Sequence, residues 1–208
     1  GLGSFGVQLC AVTGANAIGV VSSDDKKDHV LGLGAKGVIN RKDFNCWGQL
    51  PTVNGPEFND YMKESRKFGK AIWEHTGKQD VDIVFEHPGE STFPVSVFVV
   101  KRGGMVVICA GTTGFNLTMD ARFLWMRQKR VQGSHFAHLK QASAANQLVI
   151  NRRIDPGMSE VFTWDQIPAA HDKMLDNKHL PGNMAVLVTS PKPGLRTVED
   201  VLEVSGQI

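Results

Sequence analysis

The chain has 208 residues, of which 41% are hydrophobic and 21% charged, and its formal net charge is +2. This is the composition of an ordinary soluble protein, and without a run of Lys and Arg it gives no sign of a nucleic-acid partner. The longest apolar stretches, such as VSVFVV and MVVICAG, are too short to span a bilayer. The cysteines Cys10, Cys46 and Cys109 are too far apart for a zinc or disulfide framework. We therefore expect a cytoplasmic protein with reduced thiols and no bound metal.

After a glycine-rich start, the sequence alternates between helical and strand patterns. Apolar spacing predicts helices over 4–14, 24–34, 57–76, 90–102, 120–127, 138–152 and 165–177. Mostly apolar runs predict strands over 17–23, 37–40, 81–87, 104–111, 130–135 and 183–189. A Pro- and Gly-containing loop is predicted over 41–56. Apolar strands that alternate with helices are typical of a parallel sheet covered by helices on both faces. The predicted fold class is α/β, a doubly wound parallel Rossmann sheet.

The first residues, GLGSFG, spell G-x-G-x-x-G, the turn that binds dinucleotides. In that turn Gly1 would permit tight bending, Gly3 the approach of a pyrophosphate, and Gly6 close packing of helix on strand. The N–H groups at the start of the helix would bind the phosphates, which adds Leu2 and Ser4 to the predicted site. The motif alone is weak, since a methyltransferase can show something similar. No strand comes before it, so we expect the sheet to lack its first strand.

The end of the second strand of such a fold distinguishes NAD from NADP. An NAD site usually has an acidic residue there for the ribose 2′-OH, whereas this sequence has VVSSDDKK. Ser22, Lys26 and, after the next strand, Arg41 could bind a 2′-phosphate, which favours NADP(H). The acidic pair Asp24 and Asp25 argues against this interpretation. The alternative is a solvated helix start capped by Asp24.

Several longer segments resemble a known family. GLGSFGVQLCAVTGANAIGVVSS, LGAKGVIN and VDIVFEHPGE are similar to the medium-chain dehydrogenase/reductase superfamily. A closer resemblance, to the crotonyl-CoA carboxylase/reductases within it, is carried by FEHPGE, CAGTTGFN, WMRQKR, QGSHFAHLKQA and PGNMAVLV. It extends from residue 1 to about residue 204, which is nearly the whole chain.

The resemblance implies a reaction on acyl-CoA thioesters. NADPH would give a hydride to the β-carbon of crotonyl-CoA, and the α-carbon of the resulting enolate would take up CO2 to give ethylmalonyl-CoA. In the family, a histidine in the segment that matches QGSHFAH helps to form the CO2 pocket. We therefore predict His135 as the catalytic residue and keep His138 in reserve, because His138 is expected to begin the next helix. A hydrogen-bonded structural histidine is the alternative at either position.

The resemblance also implies further contacts with cofactor and substrate. Cys109, Ala110 and Gly111 are predicted to end the strand under the nicotinamide, and Phe136 is predicted to flank the nicotinamide. His87 is predicted to lie where the chain passes the cofactor. Arg122 and Arg127 are predicted to bind the CoA phosphates, because phosphate recognition favours cations. Lys129 and Arg130 are further candidates for the same role. A solvated basic surface is the alternative for all four.

The resemblance predicts two parts of the chain. Residues 1–150 would form an NADP(H)-binding Rossmann domain truncated at its N-terminus, and residues 151–208 would return toward a GroES-like catalytic domain that precedes this region in the family. That domain is not in this sequence, so we expect no useful turnover from the 208 residues alone. The expected partners are an acyl-CoA thioester, CO2 and further copies of the protein in a dimer or tetramer, with neither nucleic acid nor membrane. Two alternatives stay open: an enoyl-CoA or quinone reductase without CO2 fixation, and a non-catalytic nucleotide-binding or assembly module.

Overall fold

The computed structural model describes residues 1–176 and 178–188, over which helices and parallel strands alternate. The helices of this part are α1 (Leu2–Thr13), α2 (Lys27–Gly32), α3 (Phe58–Thr76), α4 (Phe93–Val99), α5 (Ala121–Trp125), α6 (Leu139–Ile150) and α7 (Ile167–Leu175). The strands are β1 (Ile18–Val21), β2 (Gly37–Asn40), β3 (Val81–Glu86), β4 (Val100–Ile108), β5 (Arg130–Gly133), β6 (Met158–Phe162) and β7 (Asn183–Val186). Within these residues no helix combines the length and apolar character that crossing a membrane requires.

All strand pairs of the described residues are parallel, which confirms the predicted α/β class. The strands do not form the single sheet that the sequence predicted, however, but three: β1–β2, β3–β4–β5 and β6–β7. A doubly wound sheet has the strand order 3-2-1-4-5-6, with its first strand at the centre. The observed order β2–β1 corresponds to strands 3 and 2 of that sheet, and the observed order β3–β4–β5 corresponds to its strands 4, 5 and 6. Among the described residues, no strand pairs with both β1 and β3, so these two sheets are separate.

The described residues divide into two compact units. The first contains Gly1–Ala17, Gly32–Ala35 and the described part of Ala137–Ile208. The second contains Ile18–Leu31 and Lys36–Phe136, and therefore holds strands β1 to β5. The predicted division into 1–150 and 151–208 stays a prediction.

The core of the second unit lies under α3 and α4. Helix α3 buries the side chains spaced along one face, namely Phe58, Tyr61, Met62, Ser65, Phe68 and Ile72. They pack with Val95 and Val99 of α4 and with Val84 of β3. On the opposite face of β3, Ile83 and Phe85 are 62% and 50% exposed. The predicted helix cover on both faces is therefore absent at these two residues.

Some element boundaries differ from the sequence prediction. The helix predicted over 90–102 ends at Val99, and β4 begins at once, because Val100 already adopts an extended backbone. The strand β6 was not predicted, since its sequence, MSEVF, mixes polar and apolar residues. The last predicted strand, 183–189, is observed over Asn183–Val186. Residue 189 and the rest of the predicted return segment, 190–208, lie outside the described residues.

Candidate functional site

In the first unit, the glycine-rich turn forms the beginning of α1. Gly1 is the N-cap residue, and its carbonyl accepts hydrogen bonds from the N–H groups of Ser4 and Phe5, at 3.1 and 3.3 Å. Gly1, Leu2 and Gly3 are exposed, and the first turn has no acidic side chain. A helix start with unpaired N–H groups and no nearby negative charge fits a phosphate.

The surroundings of the three motif glycines differ. A Cβ atom at Gly1 would lie 3.1 Å from Oδ1 of Asn183, so this position is crowded. A Cβ atom at Gly3 or Gly6 would meet no atom within 4 Å. The close packing of helix on strand that the sequence predicts for Gly6 is therefore not observed.

A buried glutamine fixes α1 within its unit. Gln8 is 8% exposed, and its amide exchanges two hydrogen bonds with the backbone of Asp155: Nε2 donates to the carbonyl at 2.9 Å, and Oε1 accepts from the N–H at 2.7 Å. These bonds join residues 147 positions apart. They hold the helix that carries the glycine-rich turn against the segment that leads into β6.

In the second unit, Ser22 and Lys26 lie side by side after β1. The Lys26 ammonium donates a hydrogen bond to the Ser22 hydroxyl at 3.1 Å. The neighbouring Asp24 accepts from Lys27 at 2.7 Å and from the Asn40 amide at 3.1 Å, and these hydrogen bonds, that of Lys27 first, lower the pKa of the Asp24 carboxyl. Asp24 is the first residue of a 3₁₀ helix whose N-cap is Ser23, and no side-chain hydrogen bond caps this helix, so the predicted cap at Asp24 is not observed. The pairing with Lys27 also leaves Asp24 less available to a ribose hydroxyl.

The other predicted cation near β1 is Arg41, which is exposed and begins a 3₁₀ turn directly after β2. Its carbonyl accepts a hydrogen bond from Nε1 of Trp47 at 2.7 Å, which fixes the backbone of this turn. β1 and β2 are parallel neighbours, so their carboxyl ends lie at one edge of the small sheet. Arg41 therefore follows the same edge as Ser22 and Lys26.

Two loops at the carboxyl ends of β3 and β4 carry four predicted cofactor contacts. His87 follows β3 directly, whereas Cys109, Ala110 and Gly111 follow β4. The two loops approach each other closely, because a Cβ atom at Gly89 would lie 2.9 Å from Cα of Gly111. The N–H of Cys109 also donates to the carbonyl of Glu86 at 3.2 Å. The structure therefore brings these predicted residues together.

Sequence reasoning missed two carboxyl groups in these loops, Glu86 and Glu90. Glu86 is 2% exposed and accepts three hydrogen bonds from the turn that follows β3 and from the beginning of α4. Glu90 accepts from the Gln49 side chain and from the N–H of Asn116. A charged residue at the end of the apolar run VDIVF was a signal that could have identified Glu86.

The predicted catalytic residue His135 is exposed and lies two residues after β5. Its ring lies 3.9 Å, centroid to centroid, from that of Phe136, which is 90% exposed and has a φ of 54°. A bulky residue with positive φ is strained, and such strain is concentrated at functional sites. His138 is the N-cap of α6, where Nδ1 accepts from the N–H of Gln141 at 3.3 Å. The prediction that His138 begins a helix is confirmed.

The four basic side chains near α5 have different partners. Arg122 forms a bidentate pair with Asp120, which is 5% exposed, and hydrogen bonds to this carboxylate raise the pKa of the guanidinium. Lys129 donates to two carbonyls at the end of α4, and Arg130 donates to the carbonyl of Gly103 at 3.2 Å. Arg127 is exposed. Lys129 therefore has a structural role, and Arg122 and Arg127 remain predicted phosphate contacts.

The predicted site residues fall into both units. Gly1, Leu2, Gly3, Ser4 and Gly6 belong to the first unit, and all the others belong to the second. Within the second unit, β3, β4 and β5 are parallel neighbours, so the residues that follow them share one sheet edge. Ligands of open α/β sheets bind at this edge.

Residues 1–151 match the model of a protein family described as zinc-binding dehydrogenase. The chain belongs to the zinc-binding dehydrogenase family. Its described residues do not fit a zinc site, however, because no group of three or more His, Cys, Asp or Glu side chains among them could hold a metal ion. We therefore assign no role to zinc in this part of the protein.

Three relatives of this chain are informative. A crotonyl-CoA carboxylase/reductase of Cereibacter sphaeroides is 72% identical over 98% of the chain and 47% of the relative. A solved crotonyl-CoA carboxylase/reductase superposes with a TM-score of 0.91 at 75% identity, over 98% of this chain and 48% of that one. A 2-octenoyl-CoA carboxylase reductase solved with NADP and 2-octenoyl-CoA has a TM-score of 0.81 at 34% identity, over 99% of this chain and 45% of that one. The chain thus spans about half the length of these relatives.

Proposed function

We propose that the protein containing this chain is an NADPH-dependent reductive carboxylase of enoyl-CoA thioesters, which converts crotonyl-CoA and CO2 to ethylmalonyl-CoA. The observation that carries the proposal is the 72% identity over 98% of the chain to a crotonyl-CoA carboxylase/reductase. In this proposal, the 208 residues bind the cofactor and contribute His135, and the remaining half of the protein supplies most of the acyl-CoA pocket.

We propose NADP(H) as the cofactor, and the basic and hydroxyl groups that follow β1 support this proposal because they could bind a 2′-phosphate. After β1, Nζ of Lys26 lies 3.1 Å from the hydroxyl oxygen of Ser22. The carboxylate of Asp24 forms an ion pair with Lys27. The beginning of α1, without acidic side chains, fits the pyrophosphate. The related structure solved with NADP supports the same cofactor.

The chemistry divides between the cofactor and the chain. NADPH supplies the hydride that adds to the β-carbon of the enoyl thioester. The chain holds the cofactor, through the loops after β3 and β4, and helps to keep water from protonating the α-carbon before CO2 reacts there. His135, which follows β5, would donate a hydrogen bond to an oxygen of CO2. Arg122 and Arg127 would bind the CoA phosphates.

The test is to supply the full-length protein with crotonyl-CoA, NADPH and 13C-labelled bicarbonate and to analyse the acyl-CoA products by mass spectrometry. We expect labelled ethylmalonyl-CoA, formed in proportion to the NADPH oxidised. A reaction without bicarbonate is the control. If NADPH is consumed but butyryl-CoA is the only product, the protein is an enoyl-CoA reductase and carboxylation is excluded.

We also propose that the full-length protein is cytoplasmic and forms a dimer or tetramer. Large apolar side chains of one segment support self-association, since Phe115, Trp125 and Met126 are 87%, 68% and 55% exposed. The three cysteines are free thiols, as expected in a reducing compartment. Light scattering of the full-length protein after size exclusion should give a multiple of the monomer mass, and a monomer at micromolar concentration would contradict the proposal.

A further inference from the structure

The buried carboxyl group of Glu86 has no evident use in the function proposed so far. Glu86 is the last residue of β3 and is 2% exposed. Within residues 1–176 and 178–188, no basic side chain forms an ion pair with it. A carboxyl group buried without a cation is unfavourable unless hydrogen-bond donors replace the water that it loses. An apolar residue could fill the same volume without that penalty, so the carboxyl group requires an explanation.

Three donors from the next ten residues converge on this carboxyl group. Oε1 accepts from the N–H of Gly89 at 3.0 Å and from the Thr92 hydroxyl at 2.6 Å. Oε2 accepts from the hydroxyl of Ser96, which is itself buried in α4. The side chain at the end of β3 thus fixes both the turn that follows the strand and the beginning of α4. Gly89 has a φ of 85°, so this turn has a backbone shape that few residues adopt.

The turn that Glu86 fixes, which follows β3, is hydrogen-bonded to the loop after β4. The carbonyl of Pro88 accepts from the N–H of Thr113 at 2.8 Å, and the N–H of Glu90 donates to the carbonyl of Gly114 at 3.2 Å. The Thr113 hydroxyl accepts from the N–H of Ser91 at 3.0 Å. A displacement of the first turn would therefore displace the second loop. These are the loops that carry the predicted cofactor contacts His87, Cys109, Ala110 and Gly111.

We propose that Glu86 is a positioning residue for cofactor binding. Its carboxyl group holds the His87–Gly89 turn in the shape that places both loops at the sheet edge, and it does so without contacting the cofactor. The inference rests on the proposed function, because it takes from that function the cofactor and the loops that contact it. It adds a residue and a mechanism that the proposed function does not need.

The test compares three variants of the full-length protein with the wild type. Glu86→Gln keeps the volume but replaces one acceptor oxygen by an NH2 group, which would face donors. Thr92→Val removes one donor and leaves Glu86 intact. Glu74→Gln, at an exposed position of α3, is the matched control. NADPH binding is measured by the fluorescence of the nicotinamide ring, and the KM values of NADPH and crotonyl-CoA are measured separately.

We expect the Kd and KM of NADPH to rise by about tenfold or more in Glu86→Gln, and by less in Thr92→Val, because hydrogen bonds to a charged group are lost. The KM of crotonyl-CoA should stay within about twofold of the wild-type value, as should every constant of Glu74→Gln. A purely structural role would instead lower the melting temperature and the active fraction and leave the NADPH constants of the folded enzyme unchanged. That outcome would overturn the proposal.

Two further outcomes separate this inference from the proposed function. If Glu86→Gln does not fold, the NADPH Kd of Thr92→Val provides the test. An unchanged NADPH Kd in that variant overturns the inference. If the wild type binds NADPH and depends on Glu86 but forms no ethylmalonyl-CoA, the carboxylase proposal fails and the role of Glu86 stands. If the wild type carboxylates and Glu86→Gln binds NADPH equally well, only the inference fails.

Discussion

Lys129 is a cation whose partners are backbone carbonyls rather than phosphates. Its ammonium donates at 2.8 Å to the carbonyls of both Val97 and Phe98, which end α4 and have no partner within the helix. We expect Lys129→Met to lower the free energy of unfolding by about 1–3 kcal/mol, because these carbonyls lose their donor. Urea unfolding of the full-length protein measures this change. Lys70→Met, at an exposed position of α3, is the control and should change it by less than about 0.5 kcal/mol.

The same side chain predicts a pH dependence of stability. Burial lowers the pKa of Lys129 to about 8, below its ordinary value of 10.5. Between these values the unfolded chain binds more protons than the folded one, so the contribution of Lys129 to stability increases as the pH rises from about 8 toward 10.5. The stability difference between the wild type and Lys129→Met should increase over this range. A difference that stays constant or falls would contradict the assignment.

Lys26 tests the cofactor preference at a single residue. Substitution of Lys26 removes a positive charge from the predicted 2′-phosphate site but leaves the other residues of the cofactor site unchanged. We expect Lys26→Met in the full-length protein to raise the KM of NADPH about tenfold, with little change in the KM of NADH, since a charged hydrogen bond contributes about 1.5–3 kcal/mol. Steady-state kinetics with both cofactors measure this. Lys36→Met is an exposed control, and an equal loss with NADPH and NADH would refute the assignment.

At the scale of elements, two glycines with similar backbone angles test the contact between the loops after β3 and β4. Gly89 has a φ of 85°, and a Cβ atom there would lie 2.8 Å from the carbonyl oxygen of Gly114. Gly103 has a φ of 71°, and a Cβ atom there would meet no atom within 4 Å. Both changes to Ala carry backbone strain of about 1–3 kcal/mol, but only Gly89→Ala also forces the loops apart.

We therefore expect Gly89→Ala to abolish or strongly weaken NADPH binding, and Gly103→Ala to lower the melting temperature with NADPH binding retained. Titration calorimetry and thermal unfolding of the full-length protein distinguish the two effects. Equal NADPH affinity in the two variants would show that the contact between the loops does not matter for the cofactor.

The helices and strands differ in how well the sequence predicted them. Helix α3 was predicted within one residue, because Phe58, Met62 and Phe68 follow the period of a helix that is buried along one face. Trp73, an apolar residue of the same helix, is 40% exposed, and its Nε1 donates to the carboxylate of Asp80. The short helix α4 was predicted too long, since the β-branched run that it shares with β4 fits either structure.

For the whole molecule, the separation of β1 and β3 into different sheets leads to a prediction about the protein in which this chain occurs. Among the described residues, β1 pairs only with β2, and β3 pairs only with β4. In the full-length protein we expect a further parallel strand to pair with both β1 and β3 and to join the two sheets.

Hydrogen exchange measured by mass spectrometry tests this expectation. Amides of Ile18–Val21 and Val81–Glu86 should exchange much more slowly in the full-length protein than in the isolated 208 residues, because a new strand would pair with them. β4 already has a partner on each side and should be similarly protected in both. Equal exchange of β1 and β3 in the two proteins would show that no further strand pairs with them.

The sequence by itself determined the α/β class, most helices and parallel strands, and the family, because these depend on local periodicity and on motifs such as GLGSFG and QGSHFAH. Only the tertiary structure decided which groups pair. Lys129 donates to the carbonyl of Val97, 32 positions away, and Gln8 donates to the carbonyl of Asp155, 147 positions away. Such partners come from segments whose approach depends on the packing of the whole unit, so the spacing of residues along the chain does not reveal them.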